Sequence, residues 1–96
     1  MKIEAVVNQV QSRQYVNQKG VAQTYYDAYF LDAEPDPMKR FPGQIQTKPT
    51  EEEIKRLLIA EGAKFTLHIM QIQEVRNGIP ICAVKYETAQ PKAKAA

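Results

Sequence analysis

The dipeptide Asn77-Gly78 stands between two runs of alternating apolar residues and commits this part of the chain to an antiparallel hairpin. A two-residue turn of type I′ needs positive φ at both central positions, which asparagine and glycine tolerate best. Before the turn, over residues 63–75, Phe65, Leu67 and Ile69 alternate with Lys64, Thr66 and His68. After it, over residues 79–88, Ile81 and Ala83 fall on one face and Cys82, Val84 and Tyr86 on the other. Period-two alternation of this length is a strand signal on both sides.

The first third of the chain repeats the logic with a different outcome. Over residues 1–10, Ile3, Ala5 and Val7 alternate with Lys2 and Glu4, giving a strand with one apolar face. The same parity continues as Gln9, Gln11, Arg13 and Tyr15, so that face turns polar while the strand character persists. A strand leaving the body of a sheet for a projecting hairpin arm has this pattern. Asn17-Gln18-Lys19-Gly20 supplies the tip, with Gly20 able to take positive φ. Residues 24–32 return, with Thr24, Tyr26, Ala28 and Phe30 expected in the core and Tyr25, Asp27 and Tyr29 half-exposed.

Glu34-Pro35-Asp36-Pro37 is a turn, and a short strand over 44–47 follows it. A helix is predicted over 50–61. Thr50 is its N-cap, Glu53 completes a capping box, and Ile54, Leu57, Leu58 and Ala60 form the apolar stripe that Gly62 ends. The acids Glu51–Glu53 complement the positive helix end and need no metal to explain them. The fold class expected is mainly β: a five-stranded OB-like barrel with one helix between strands 3 and 4 and a projecting β-hairpin. The domain spans residues 1–89, and 90–96 read as a disordered tail.

Composition narrows the function. Ninety-six residues make one domain. No apolar run approaches the roughly 20 residues of a membrane span, and no signal peptide opens the chain. The single cysteine, Cys82, cannot form an internal disulfide, so a cytoplasmic location is expected. Net charge is only +2, but it is unevenly placed. Arg13 and Lys19 are the only charges over residues 5–26, and Lys39, Arg40 and Lys48 the only ones over 37–49. Acids gather at 27–36 and 51–53, which points to a basic surface on an acidic remainder.

The parts needed for catalysis are missing. His68 sits mid-strand between Leu67 and Ile69, where a wall position explains it better than a base. Cys82 lies in an apolar strand as a small hydrophobe. No Cys/His cluster has zinc spacing, no glycine-rich loop cradles phosphate, and the acids at 27–36 lack the glycine turn and closing glutamate of a calcium loop. The expectation is therefore no enzyme, no metal and no cofactor.

What remains is binding. Four of the five tyrosines lie between residues 11 and 29, interleaved with Arg13 and Lys19. Flat rings among isolated cations suit unpaired nucleobases, the rings stacking on bases and the cations tracking phosphates. Tyr15, Tyr25 and Tyr29 are the candidate platforms, followed by Phe41, while Tyr26 and Phe30 are assigned to the core. Arg13, Lys19 and Arg76 are candidate phosphate contacts, and Lys39-Arg40-Phe41 forms a compact cation–aromatic group. Each has a plainer alternative. Tyrosine favours strands, charge and proline protect an edge strand, and Arg76 is a solvated turn charge.

The segment from Ser12 to Asp32, with a cation before the turn, Lys19-Gly20, the following tyrosines and a closing Phe-Leu-Asp32, resembles the DNA-binding hairpin of the single-stranded-DNA-binding proteins of filamentous bacteriophages. The late strand from Gly62 and the hairpin at Asn77-Gly78 agree with it, whereas the capped helix is a departure. The resemblance implies an OB-like barrel forming a twofold homodimer that coats single strands without sequence choice during phage or plasmid DNA replication, in the host cytoplasm if viral. It also implies Arg13 and Lys19 as backbone contacts and Tyr25 as a stacking residue. Two alternatives stay open: RNA as the ligand of the same barrel, and a protein-interaction module that uses exposed β edges.

Overall fold

The computed structural model describes residues 2–88. The expected tail over 90–96 lies outside the described residues. Five strands and one helix follow in the order β1 (Lys2–Val16), β2 (Ala22–Asp32), β3 (Gln44–Thr47), α1 (Glu51–Leu57), β4 (Lys64–Arg76) and β5 (Ile79–Thr88). The strand bounds match the sequence expectations to within about two residues at each end, apart from the long first strand, which runs uninterrupted into the arm. Asn77 (φ 55°) and Gly78 (φ 80°) both take the left-handed conformation, as a type I′ turn requires.

The sheet closes on itself in the order β1-β2-β3-β5-β4. Every pairing is antiparallel except β3 with β5, which meet in parallel through Gln46 and Ile81. The ring occupies only part of the strand length. β4 meets β1 over Lys64–His68 against Lys2–Val6, and β3 meets β2 over Ala28–Leu31. Beyond those segments two ribbons project: the β1–β2 arm and the far half of the β4–β5 hairpin.

Inside the ring, Ala5, Val7, Ala28, Phe30, Phe65 and Leu67 form the core. Phe30, Phe65 and Tyr86 meet with ring centroids 6.2 Å apart in each pair. Tyr86 donates to the Thr47 hydroxyl at 2.7 Å, and burial pushes its own hydroxyl up to about 12. Burial likewise raises the Cys82 thiol. The helix caps one end of the ring, with Ile54 and Leu57 packed on the core. Its capping box forms as expected: the Thr50 hydroxyl accepts from the Glu53 N–H at 3.1 Å, and Glu53 Oε1 accepts from the Thr50 N–H at 2.9 Å.

The helix ends sooner than predicted. Leu58 is its C-cap in the left-handed conformation (φ 56°, ψ 50°), and both its N–H and that of Ile59 reach the Ile54 carbonyl. This reversal throws Leu58 out, 75% exposed, and swings Ile59 into the core in its place. Leu58 and Ala60 are therefore not part of the apolar stripe; Ile59 takes over the inward role.

A second departure concerns parity. A bulge at Asn8 breaks the β1–β2 register between Val7↔Phe30 and Gln9↔Tyr29. Val7 also pairs out of the sheet, donating to the Ala63 carbonyl at 2.8 Å and accepting from the Gly62 N–H at 2.9 Å. One extra residue moves every later side chain to the opposite face. Val10 thus continues the inward face, opposite Ala28, while Gln9, Gln11, Arg13 and Tyr15 share the outer face with Tyr29, Asp27, Tyr25 and Gln23.

Candidate nucleic-acid interface

The arm carries the candidate site. Its tip is held by the Asn17 side chain, whose Oδ1 accepts from the backbone N–H of both Lys19 and Val21 at 2.8 and 3.0 Å. Asn17 and Val21 close the ribbon below it through a 3.0 Å backbone bond, with Gly20 at φ 80°. Lys19 is thereby presented at the outermost point of the arm, exposed.

Tyr15 and Tyr25 lie below the tip. They are 50% and 45% exposed, so both rings are open to solvent. Their centroids are 5.2 Å apart at an interplanar angle of 67°, an edge-to-face pair. Tyr25 donates to Gln23 Oε1 at 2.6 Å. Tyr15 accepts from Arg13 Nη1 at 2.8 Å, and the Arg13 Cζ lies 5.7 Å from its ring centroid. A cleft of about 500 Å³ opens beside the pair, walled by Arg13, Tyr15, Tyr25 and Tyr26 of the arm and by Lys48, Pro49 and Glu51 from the end of β3 and the start of the helix.

Asp27, half-exposed on the sequence pattern, is buried in the structure. The physical reason is its three donors: Arg13 Nε at 2.9 Å, Arg13 Nη2 at 3.4 Å, and Gln46 Nε2 at 3.1 Å from the neighbouring strand β3. A carboxylate leaves water only when it is paired and hydrogen-bonded in this way. The hydrogen bond and charge of Asp27 raise the Arg13 guanidinium above its ordinary value. Phe30 is in the core and Tyr29 is half-buried, as expected, whereas Tyr26, expected in the core, is only half-buried and Thr24 lies exposed, because both stand on the arm beyond the closed ring.

Arg76 comes back to the same region. The turn of the β4–β5 hairpin borders a basin of about 200 Å³ with Arg13, Asp27, Tyr29 and Gln46. Arg76 is itself paired with Glu74 at 2.9 Å. The group Lys39-Arg40-Phe41 lies elsewhere. Phe41 is half-buried beside Leu31 and Asp32, at the far end of β2, with its N–H donating to Asp32 Oδ2 at 2.8 Å. Six residues of strand separate Tyr25 from Leu31, or about 20 Å. Arg40 donates to the carbonyls of Glu34 and Pro35 at 3.0 and 3.3 Å and so closes its own loop. The structure therefore gathers Arg13, Tyr15, Lys19, Tyr25, Tyr29 and Arg76 around the arm and leaves Lys39, Arg40 and Phe41 apart.

Lys48 is the residue that sequence reasoning passed over. It is exposed on the wall of the tyrosine cleft, and it enters no ion pair among the described residues. Its signal was present, since it belongs to the acid-free stretch 37–49. His68 lies half-buried on the wall of the ring and meets Glu87 at 2.7 Å. Among the described residues no helix is long and apolar enough to cross a membrane, and no His, Cys, Asp and Glu side chains group as metal ligands. Comparison with protein-family models, curated proteins and solved structures finds no match to this chain.

Proposed function

We propose that the chain is a non-enzymatic single-stranded-DNA-binding protein that stacks bases on the tyrosines of its β1–β2 arm and meets phosphates with neighbouring lysines. The observation that carries this reading is the Tyr15–Tyr25 pair, two half-exposed rings in contact at the mouth of a cleft whose far wall holds Lys48. Two half-exposed rings set side by side offer faces on which unpaired bases can stack.

Topology supports the OB-like part of the proposal. An OB-fold is a five-stranded barrel that binds oligonucleotides on its strand 2–3 face, between the 1–2 and 4–5 loops. Here the strand order is β1-β2-β3-β5-β4 with the helix between β3 and β4. Tyr29 and Gln46 stand paired on β2 and β3, and on this reading the turns at Lys19-Gly20 and Asn77-Gly78 take the place of the 1–2 and 4–5 loops. A homodimer belongs to the same proposal. The far half of β4 has an edge not paired with β1 and carries Met70, Ile72 and Val75 exposed, as a second copy would cover.

The test is a fluorescence-anisotropy titration of the full chain with a labelled dT oligonucleotide of roughly 20–30 nucleotides at low salt, alongside the matched RNA. Saturable binding that weakens with salt, with a log–log slope near −0.7 per phosphate contact, is the expected result. No binding below about 100 μM, the ordinary non-specific range, ends the proposal and leaves the protein-interaction reading. A preference for RNA moves the ligand without moving the site.

A further inference from the structure

Four cations lie at or near the tyrosines of the arm; Arg76, beside Tyr29, is paired with Glu74 at 2.9 Å, and the structure treats the other three, Arg13, Lys19 and Lys48, differently. The Arg13 guanidinium is gripped on two of its three nitrogens by the Asp27 carboxylate and turns the third towards the Tyr15 hydroxyl. Asp27 is 4% exposed and is fixed from the other side by the equally buried Gln46. The whole chain of contacts, Gln46 to Asp27 to Arg13 to Tyr15, runs from the closed ring outward to the first ring of the platform. Lys19 and Lys48 stand outside it, exposed and in no ion pair among the described residues. Two acids line hollows with Lys48: Glu51 is engaged by Lys55 at 3.3 Å, and Glu53 accepts from the Thr50 N–H at 2.9 Å in the capping box.

We propose that Asp27 is a positioning residue: it neutralises Arg13 and locks it as a support for Tyr15, so that the tyrosine platform is nearly uncharged and the phosphates of a bound strand are met by Lys19 and Lys48. This rests on the single-strand-binding reading. A phosphate approaching Arg13 also feels the Asp27 carboxylate, whose oxygens lie 2.9 and 3.4 Å from the guanidinium nitrogens, and the two charges act on it with opposite sign. A phosphate at Lys19 or Lys48 meets an ammonium that is in no ion pair among the described residues. Arg13 therefore contributes through the geometry of a ring, which salt does not screen, and the lysines through charge, which it does. This assigns Arg13 a role other than the backbone contact expected from the sequence.

Salt dependence separates the two roles. Binding of a labelled dT oligonucleotide is measured across a salt series for the wild type, Lys19→Gln, Lys48→Gln, Asp27→Asn and the double variant Arg13→Gln with Asp27→Asn. Each lysine variant is expected to lower the magnitude of the log–log slope by about 0.7, the value for one phosphate on a single strand. The double variant keeps the wild-type slope while binding more weakly at every salt concentration, because the support for Tyr15 is lost and no phosphate contact is. Asp27→Asn alone releases the Arg13 charge and steepens the slope by about 0.7. A double variant whose slope falls by that amount overturns the inference, since Arg13 would then be a phosphate contact. Should Asp27→Asn fail to fold by circular dichroism, the double variant, which buries no unpaired charge, still decides. A wild type that binds no oligonucleotide ends both this inference and the reading beneath it, whereas binding with the wrong slopes ends this inference alone.

Discussion

If the Tyr15–Tyr25 pair is the stacking platform, removing the two rings singly and together has a calculable signature. Stacking of one base on one aromatic side chain is worth about 1–3 kcal/mol by alanine substitution. At 1.4 kcal/mol per factor of ten, Tyr15→Ala and Tyr25→Ala are each expected to weaken binding by roughly 5- to 150-fold. The two losses do not add. The rings touch edge to face at 5.2 Å, a contact worth about 0.5–1.5 kcal/mol, so losing one loosens the other before any base arrives. The double variant should accordingly fall short of the summed losses by about that contact energy.

Stability is expected to respond far less than binding. Both rings are about half-exposed in the free protein and lie on the arm, outside the ring that holds the core. A loss of about 1 kcal/mol in a domain of this size lowers Tm by roughly 4–8 °C. The assay is anisotropy with one labelled dT oligonucleotide at one low salt concentration, on four proteins whose melting curves are recorded in parallel. Tyr25→Phe is the control, since it removes only the hydroxyl that donates to Gln23 and keeps the stacking face. Single variants that bind within twofold of the wild type while melting normally would refute the platform.

Three further outcomes are expected. Leu58→Gly should raise Tm by a few degrees: a left-handed leucine costs about 1–2 kcal/mol, part of which the entropy of glycine offsets, and the side chain is too exposed to be missed. Tyr86 holds its proton more tightly folded (about 12) than unfolded (about 10), so its contribution is complete below pH 10 and is lost as pH rises through 10 to 12, by at most about 3 kcal/mol. The difference between wild type and Tyr86→Phe in denaturant melts across that window isolates it, and a constant difference would remove the argument. Ile72→Lys, on the exposed far half of β4, should leave the fold intact and shift sedimentation towards monomer; a wild type that sediments as a monomer at high concentration would dispose of the dimer instead.

Where the sequence was legible, a local rule and the tertiary structure agreed. The Asn77-Gly78 turn and the Thr50–Glu53 capping box needed no knowledge of the rest of the chain, because positive φ and a side-chain cap are decided within four residues. The projecting arm was legible for a related reason: the parity that is apolar at Ile3, Ala5 and Val7 turns polar at Gln9, Gln11 and Arg13 while the strand character persists. The bulge at Asn8 was not legible. It is fixed by Val7 pairing with Gly62 and Ala63, more than fifty residues away, and no feature of residues 5–11 announces it. The helix end failed differently, since Leu58 and Ile59 are equally apolar and only the C-cap geometry chooses which one turns inward. Of the candidate site, the sequence shows which residue types share the arm but not which of them pair. Arg13 and Asp27 sit fourteen residues apart, and their pairing follows from arm register, with Arg13 opposite Tyr25 and Gln11 opposite Asp27.

The same partnership also bears on how the arm is held to the ring. A two-stranded ribbon is at best marginally stable in water, and the segment beyond Gln9 and Tyr29 has no third strand along most of its length. Its stability has to be imported from the ring. Gln46 is the place where that happens: it belongs to β3, lies opposite Tyr29, pairs with Ile81 of β5, and reaches Asp27 on the arm. Asp27 passes the constraint across the ribbon to Arg13, and Arg13 passes it along β1 to Tyr15, whose ring rests on Tyr25. Each contact constrains the next, so that, if the arm binds as proposed, less conformational entropy remains to be lost when a strand docks. A polar network is suited to this position because the outer face offers no hydrophobic core to pack against, and directional bonds hold a ring at a fixed angle where nonpolar contact would let it turn.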